Sequence, residues 1–189
     1  MRAFKGFNQD LTCRGYQFME SGVKRTEEAN CHDNGFHCAE NPLDCLDYYP
    51  DWKESVYYEV EAAGDLDEDA IDSKIACTNL RLVKKLSFKE LLFEGLVYMV
   101  RHPKRKWNSH VQRDSGTAKN GYAVVCGAEP MACGMEGDFL ALIKEDEKTQ
   151  EVLEVGLFQV GRSRCRAGIW YDVHGNCMEG MADEKSGAV

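Results

Sequence analysis

The 189-residue chain carries 32 acidic against 23 basic side chains, a net charge of -9, and 43% of its residues are hydrophobic. That hydrophobic share supports a packed core and argues against wholesale disorder, while the charge disfavours nucleic acid and favours a protein partner with a basic surface. No run reaches the ~20 apolar residues that cross a bilayer, the longest, LLFEGLVYMV, being broken by Glu94; no membrane association is expected.

The N-terminus has no apolar signal region, and the nine cysteines are odd in number. Both features fit reduced thiols and a cytoplasmic location.

MRAFKGF alternates in the manner of a first strand, and a short strand is expected around RGYQF, followed by the polar connection SGVKRTEEAN. GFHC reads as another strand. ENPLDCLDYY reads as a helix, with Asn41 as N-cap, Pro42 at its first position, Asp44 in its first turn and Leu43, Leu46 and Tyr49 on one face. Pro50 ends it.

SVYYEVEAAG and SKIACTNLRLVKKL are then read as strands. The strongest helix signal is SFKELLFEGLVYMV, where Ser87 and Glu90 have capping-box spacing and His102-Pro103 stops the run. Residues 104–115 are polar and basic. Beyond them Gly116, Gly121, Gly127 and Gly134 recur at five- to seven-residue intervals among small residues, a texture that fits either a short parallel β-roll or an ordinary Gly-rich meander. GDFLALIKED, EVLEVGLFQVG and AGIWYDVHGNCME close the chain as strands, with DEK and HGN as turns.

The fold expected is therefore α+β. A mixed N-terminal sheet with two helices spans 1–105, a linker 106–115, a Gly-rich β-dominated lobe 116–182 and a frayed tail 183–189.

Lys5-Gly6-Phe7, Cys13-Arg14-Gly15, Gly35-Phe36-His37, Asn41-Pro42-Leu43-Asp44, Tyr48-Tyr49 and Asp72-Ser73-Lys74 form a pattern. It resembles a family of uncharacterised proteins common in phages and in prophages of gut bacteria. In that family the module is followed by a Gly/Ala-rich repeat and a closing segment similar to AGIWYDVHGN; here the repeat is shorter and less regular. The resemblance implies a mobile-element origin and an accessory role exerted by binding a host protein.

Three chemistries compete for these residues. Cys31, His32, His37 and Cys38 are the candidate zinc set, with Cys45 nearby, but adjacent ligands diverge on a strand, and no metal is expected. A Cys–His nucleophile pair would draw on His37, yet no flanking motif singles out a cysteine. The order of elements, a first strand, then GFH entering a helix with an aromatic pair, then VYYEVEA, is similar to the core of ADP-ribosyltransferases. That similarity places the NAD-handling positions on Lys5, on His37 through Tyr48 and Tyr49, and on Glu59 or Glu61.

The Gly-rich stretch lacks the Lys-Ser/Thr of a phosphate loop. The clusters HPKRKW and SRCR are read as solvated faces that pair with acidic loops.

The function expected is an acidic phage- or prophage-encoded protein that binds a basic host surface, such as the nucleic-acid channel of a CRISPR-like defence complex, through Asp65, Asp67, Glu68 and Asp69. It would need no cofactor. The alternatives are an NAD-using ADP-ribosyltransferase-like enzyme and a structural protein that oligomerises through the Gly-rich lobe.

Overall fold

A computed structural model describes residues 1–68, 73–107, 109–162 and 165–178. Asp69 and the tail 183–189 lie outside the described residues. The chain divides into two compact units, Met1–Gly95 and Leu96–Val189, and the fold is α+β with strand predominating.

The first unit is built from β1 (Arg2–Asn8), the hairpin β2 (Thr12–Cys13) and β3 (Tyr16–Gln17), β4 (Val23–Arg25) and β5 (Phe36–Ala39). A 3-10 turn (Pro42–Asp44) then runs into the one-turn helix α1 (Cys45–Tyr48), and the long antiparallel pair β6 (Ser55–Glu68) and β7 (Lys74–Leu86) follows. Every pairing in this sheet is antiparallel.

The pairings β1–β6, β6–β7, β7–β5 and β5–β1 close on themselves, so this small sheet has a ring of neighbours and a single interior. Ala3, Phe7, Phe36, Tyr58, Val60, Ile75, Cys77 and Leu80 fill that interior. Strand alternation puts Lys5 on the same side of β1 as Ala3 and Phe7.

The ring is thinnest between β1 and β5, which share only the register pair Phe4–Ala39. By contrast β1 and β6 are paired from Arg2–Glu61 through Asn8–Ser55. Beyond Phe4 the ladder is replaced by a side chain: Lys5 Nζ donates to the His37 carbonyl at 2.6 Å.

The helix expected over 41–49 is short. Asn41 caps it, its side chain accepting from Leu43 N at 3.1 Å, but the 3-10 turn and one α-turn are all that precede Pro50, whose ring cannot continue a helix. Helix α2 (Phe88–Arg101) has the capping box read from its sequence: Ser87 N donates to Glu90 Oε2 at 2.8 Å and Glu90 N to Ser87 Oγ at 3.2 Å.

The division between the units falls inside α2, after Gly95. A polar stretch that pairs along one edge is hard to tell from a linker in sequence, and part of 106–115 is in fact strand.

That strand is β8 (Val111–Thr117), followed by β9 (Tyr122–Cys133), β10 (Phe139–Glu145), β11 (Val152–Gln159) and β12 (Trp170–Tyr171). β8 and β10 both pair parallel to β9, Val111 beside Val124 and Tyr122 beside Phe139. β10–β11 and β9–β12 are antiparallel. Ala123, Val125, Leu140, Leu142, Val160 and Tyr171 are among the residues of this unit's core. Glu145 is buried beside it, accepting from Cys126 Sγ at 3.0 Å and paired with Arg113.

Candidate functional site

Where β1 and β5 part, a cavity of about 250 Å³ opens in the first unit. β1 contributes Phe4, Lys5 and Gly6, β5 contributes His37, Cys38 and Ala39, α1 and its flanks contribute Asp44, Cys45, Tyr48 and Tyr49, and the β2–β3 hairpin contributes Cys13 and Arg14. Cys31 and Lys74 complete the wall.

Each contributor is held by identifiable local chemistry. Gly6 is required because Tyr49 lies directly against it: a Cβ there would sit 2.5 Å from Tyr49 Cδ2. Tyr49 is fixed from behind by Tyr57, whose hydroxyl donates to the Tyr49 carbonyl at 2.6 Å.

The turn carrying Cys45 and Tyr49 is pinned by a buried network. Ser73 Oγ donates to Asp44 Oδ2 at 2.5 Å, Asn41 Nδ2 donates to Asp44 Oδ1 at 2.9 Å, and Asn41 N donates to Ser73 Oγ at 2.8 Å. Asp44 of the Asn-Pro-Leu-Asp motif and Ser73 thus meet across 29 residues of chain.

The hairpin places a cation at the rim. Cys13 pairs with Tyr16 across a two-residue turn, and Arg14 (φ 49°) and Gly15 (φ 79°) both occupy the left-handed region. Such turns favour Asn or Gly at both positions. An arginine accepts some backbone strain there, and its side chain lines the cavity.

Lys5 is only 6% exposed. Its ammonium donates to the His37 carbonyl, lies 3.5 Å from Cys13 Sγ, and sits 5.3 Å and 5.5 Å from the centres of the Phe7 and Phe18 rings. Its partners among the described residues are dipoles and ring faces, not a carboxylate.

His37 Nε2 lies 3.1 Å from the Asn30 carbonyl. Burial, followed by the charges of Lys5, Arg14 and Lys74, lowers its pKa below the ordinary 6.5 although the Asn30 carbonyl opposes this, so the ring is neutral at pH 7. Burial raises the Tyr49 phenol, helped by its hydrogen bond with Cys13. Burial also pushes the Cys45 thiol up to about 12, and the contact with Cys77, together with burial, pushes up Cys38. These two thiols are packing groups, not nucleophiles.

Four of the residues singled out in the sequence, Lys5, His37, Tyr48 and Tyr49, meet in this cavity. Glu59 does not line it: its carboxylate pairs with Arg2 at 2.9 Å, and Glu61 pairs with Arg81 at 2.6 Å. Of the candidate zinc set, Cys31 donates to the Asp67 carbonyl, Cys38 to the Ile75 carbonyl, and His32 is exposed. Among the described residues no group of three or more His, Cys, Asp or Glu side chains could hold a metal ion.

Asp65 lines a separate open hollow of about 470 Å³ with Glu27, Glu28 and Asp33. Asp67 accepts from Cys31 N at 2.7 Å, and Glu68 is exposed at the end of β6.

Arg14, Cys13 and Lys74 were not picked out as site residues. The one local signal was Cys-Arg-Gly itself, an arginine where a tight turn prefers Asn or Gly.

The first unit is thus a small closed-sheet domain with a cationic pocket at the weakest seam of its ring. Residues 1–94 match the family described as Domain of unknown function (DUF7666). No curated protein and no solved structure matches the chain.

Proposed function

We propose that residues 1–94 form a ligand-binding domain whose pocket between β1 and β5 takes a small molecule bearing a phosphate or a similar anionic group. One observation carries this reading: the nearly buried Lys5 ammonium faces the cavity with dipoles and aromatic faces around it. A buried cation without a counter-ion is costly, and an anion that completes its coordination relieves that cost. Arg14 and Lys74 add positive charge to the same wall of an otherwise acidic chain. Asp44, the single carboxylate of the lining, already accepts from Ser73 and Asn41. Low-dielectric walls concentrate such a field.

The positions expected of an NAD-using transferase are partly gathered here, in Lys5, His37, Tyr48 and Tyr49, without Glu59 or Glu61. The geometry therefore supports binding better than catalysis. Isothermal titration with ADP tests the proposal: saturable binding to the intact chain that is lost in Lys5→Met and weakened in Arg14→Gln is expected. Binding unchanged by both substitutions would refute it.

A second reading rests on the open hollow lined by Glu27, Glu28, Asp33 and Asp65. This concentration of carboxylates suits a basic segment of a host protein, in keeping with a phage or prophage accessory role. Exchanging the four for Gln or Asn would then abolish a salt-sensitive complex while leaving ADP binding intact.

A further inference from the structure

A second cavity of about 320 Å³ adjoins the first and is lined in part by the same side chains. Lys5, Cys13, Arg14 and His37 line both. The two cations of this set, Lys5 and Arg14, therefore stand between two compartments, each with its own aromatic wall.

In the first compartment the wall is Tyr48 and Tyr49, with Phe4. In the second it is Tyr16, Phe18 and Phe36, whose rings form an edge-to-face cluster: Tyr16 lies 4.7 Å from Phe18 and 5.4 Å from Phe36, and Phe18 lies 5.5 Å from Phe36. Phe18 and Phe36 belong to the buried core of the unit, so Tyr16, 45% exposed, is the ring this side offers to a ligand. Arg25 brings a further cation to this side, and Asp33 a hydrogen-bond acceptor.

Two further features fit a divided groove. Either cavity alone stands near the lower bound of the ~300–1,000 Å³ range of ligand pockets, and the two joined fall well inside it. The divider is also built for the purpose, since Arg14 reaches both sides from a left-handed turn position that Asn or Gly would occupy with less strain.

Resting on the anionic-ligand reading above, we infer that the ligand is of the dinucleotide class. Two ring systems would be joined through a diphosphate, the phosphates at Lys5, Arg14 and His37, one ring against Tyr48 and Tyr49 and the other against Tyr16, which Phe18 and Phe36 hold from behind. Stacking on aromatic faces tolerates any base, so the groove selects for two rings and a central anion, not for a particular base.

Matched titrations with ADP and with diadenosine diphosphate test this. The second molecule adds one nucleoside and carries less negative charge, so charge alone would favour ADP. The expected result is diadenosine diphosphate binding about tenfold or more tightly, with Tyr16→Ser and Arg25→Gln reducing it to the affinity of ADP and weakening ADP itself by no more than about twofold, because ADP keeps the first compartment. Both substituted residues are exposed, and the unfolding midpoint of each variant serves as the control for folding.

Equal affinity for the two molecules, or a preference that survives both substitutions, would overturn the two-compartment assignment while leaving the anion pocket standing. Failure of the unmodified protein to bind either molecule would overturn both.

Discussion

Lys5 Nζ donates to the main-chain carbonyl of His37 across the seam where β1 and β5 cease to pair. One side chain thus substitutes for a backbone ladder and at the same time delivers a positive charge into a cavity. Lys5→Met keeps the apolar stem but leaves that carbonyl without its donor. Losing that hydrogen bond costs about 1–3 kcal/mol and removing the buried charge returns part of it, so a net loss at the lower end of that range is expected from denaturant unfolding at neutral pH; a variant more stable than the unmodified protein would mean that the contact does not hold the seam.

Gly6 and Tyr49 are in van der Waals contact, and a methyl group on residue 6 has no room. Gly6→Ala should destabilise the protein by about 1–3 kcal/mol through overpacking. Made in a Tyr49→Ala background the same change should cost much less, because the clashing ring is gone; a double-mutant cycle of the four proteins measures that coupling.

Asp44, Asn41 and Ser73 form a buried network whose loss should be felt as a unit. Ser73→Ala removes the donor to Asp44 and the acceptor for Asn41 N together, with an expected cost of about 2–4 kcal/mol. Adding Asp44→Ala on top of it should cost less than Asp44→Ala alone in the unmodified protein. Thermal unfolding of the three variants reads this directly.

The pH dependence follows from His37. Its folded pKa lies below the ordinary 6.5, so in the window beneath 6.5 the unfolded chain binds the proton that the folded chain refuses. The contribution of His37 to stability is complete above 6.5 and is lost as pH falls through the lowered folded value. His37→Gln should remove that part of the slope from a stability-versus-pH series. An anion in the pocket would favour the protonated ring, so ligand binding just below pH 6.5 should take up a proton, visible as buffer-dependent heat in calorimetry.

Much of the secondary structure was legible because it is local. The Ser87 and Glu90 capping box, the Asn41 cap followed by Pro42, and the alternation of SVYYEVEAAG each record contacts within a few residues. The lengths were less legible: β6 continues through charged residues to Glu68 because β7 pairs with it to that point across two irregularities, and the helix after Asn41 stops early at Pro50.

The pocket was legible only in pieces. Lys5, His37, Tyr48 and Tyr49 stood out as chemistry-bearing residues, yet what brings them together is the single Phe4–Ala39 pairing and the Asp44–Ser73 contact, neither of which leaves a local signature. Arg14 and Lys74 were missed for the same reason. No spacing singles out a glutamate on that strand, and alternation directs both Glu59 and Glu61 away from the cavity, to Arg2 and Arg81.

The central claim is that the seam between β1 and β5 is an anion site, and amide-resolved NMR with inorganic pyrophosphate tests it most directly. Saturable shifts confined to Lys5–Gly6, Cys13–Gly15 and His37–Cys38, absent in Lys5→Met, are the predicted result. Shifts that do not saturate, that map to other surfaces, or that persist in Lys5→Met would contradict it.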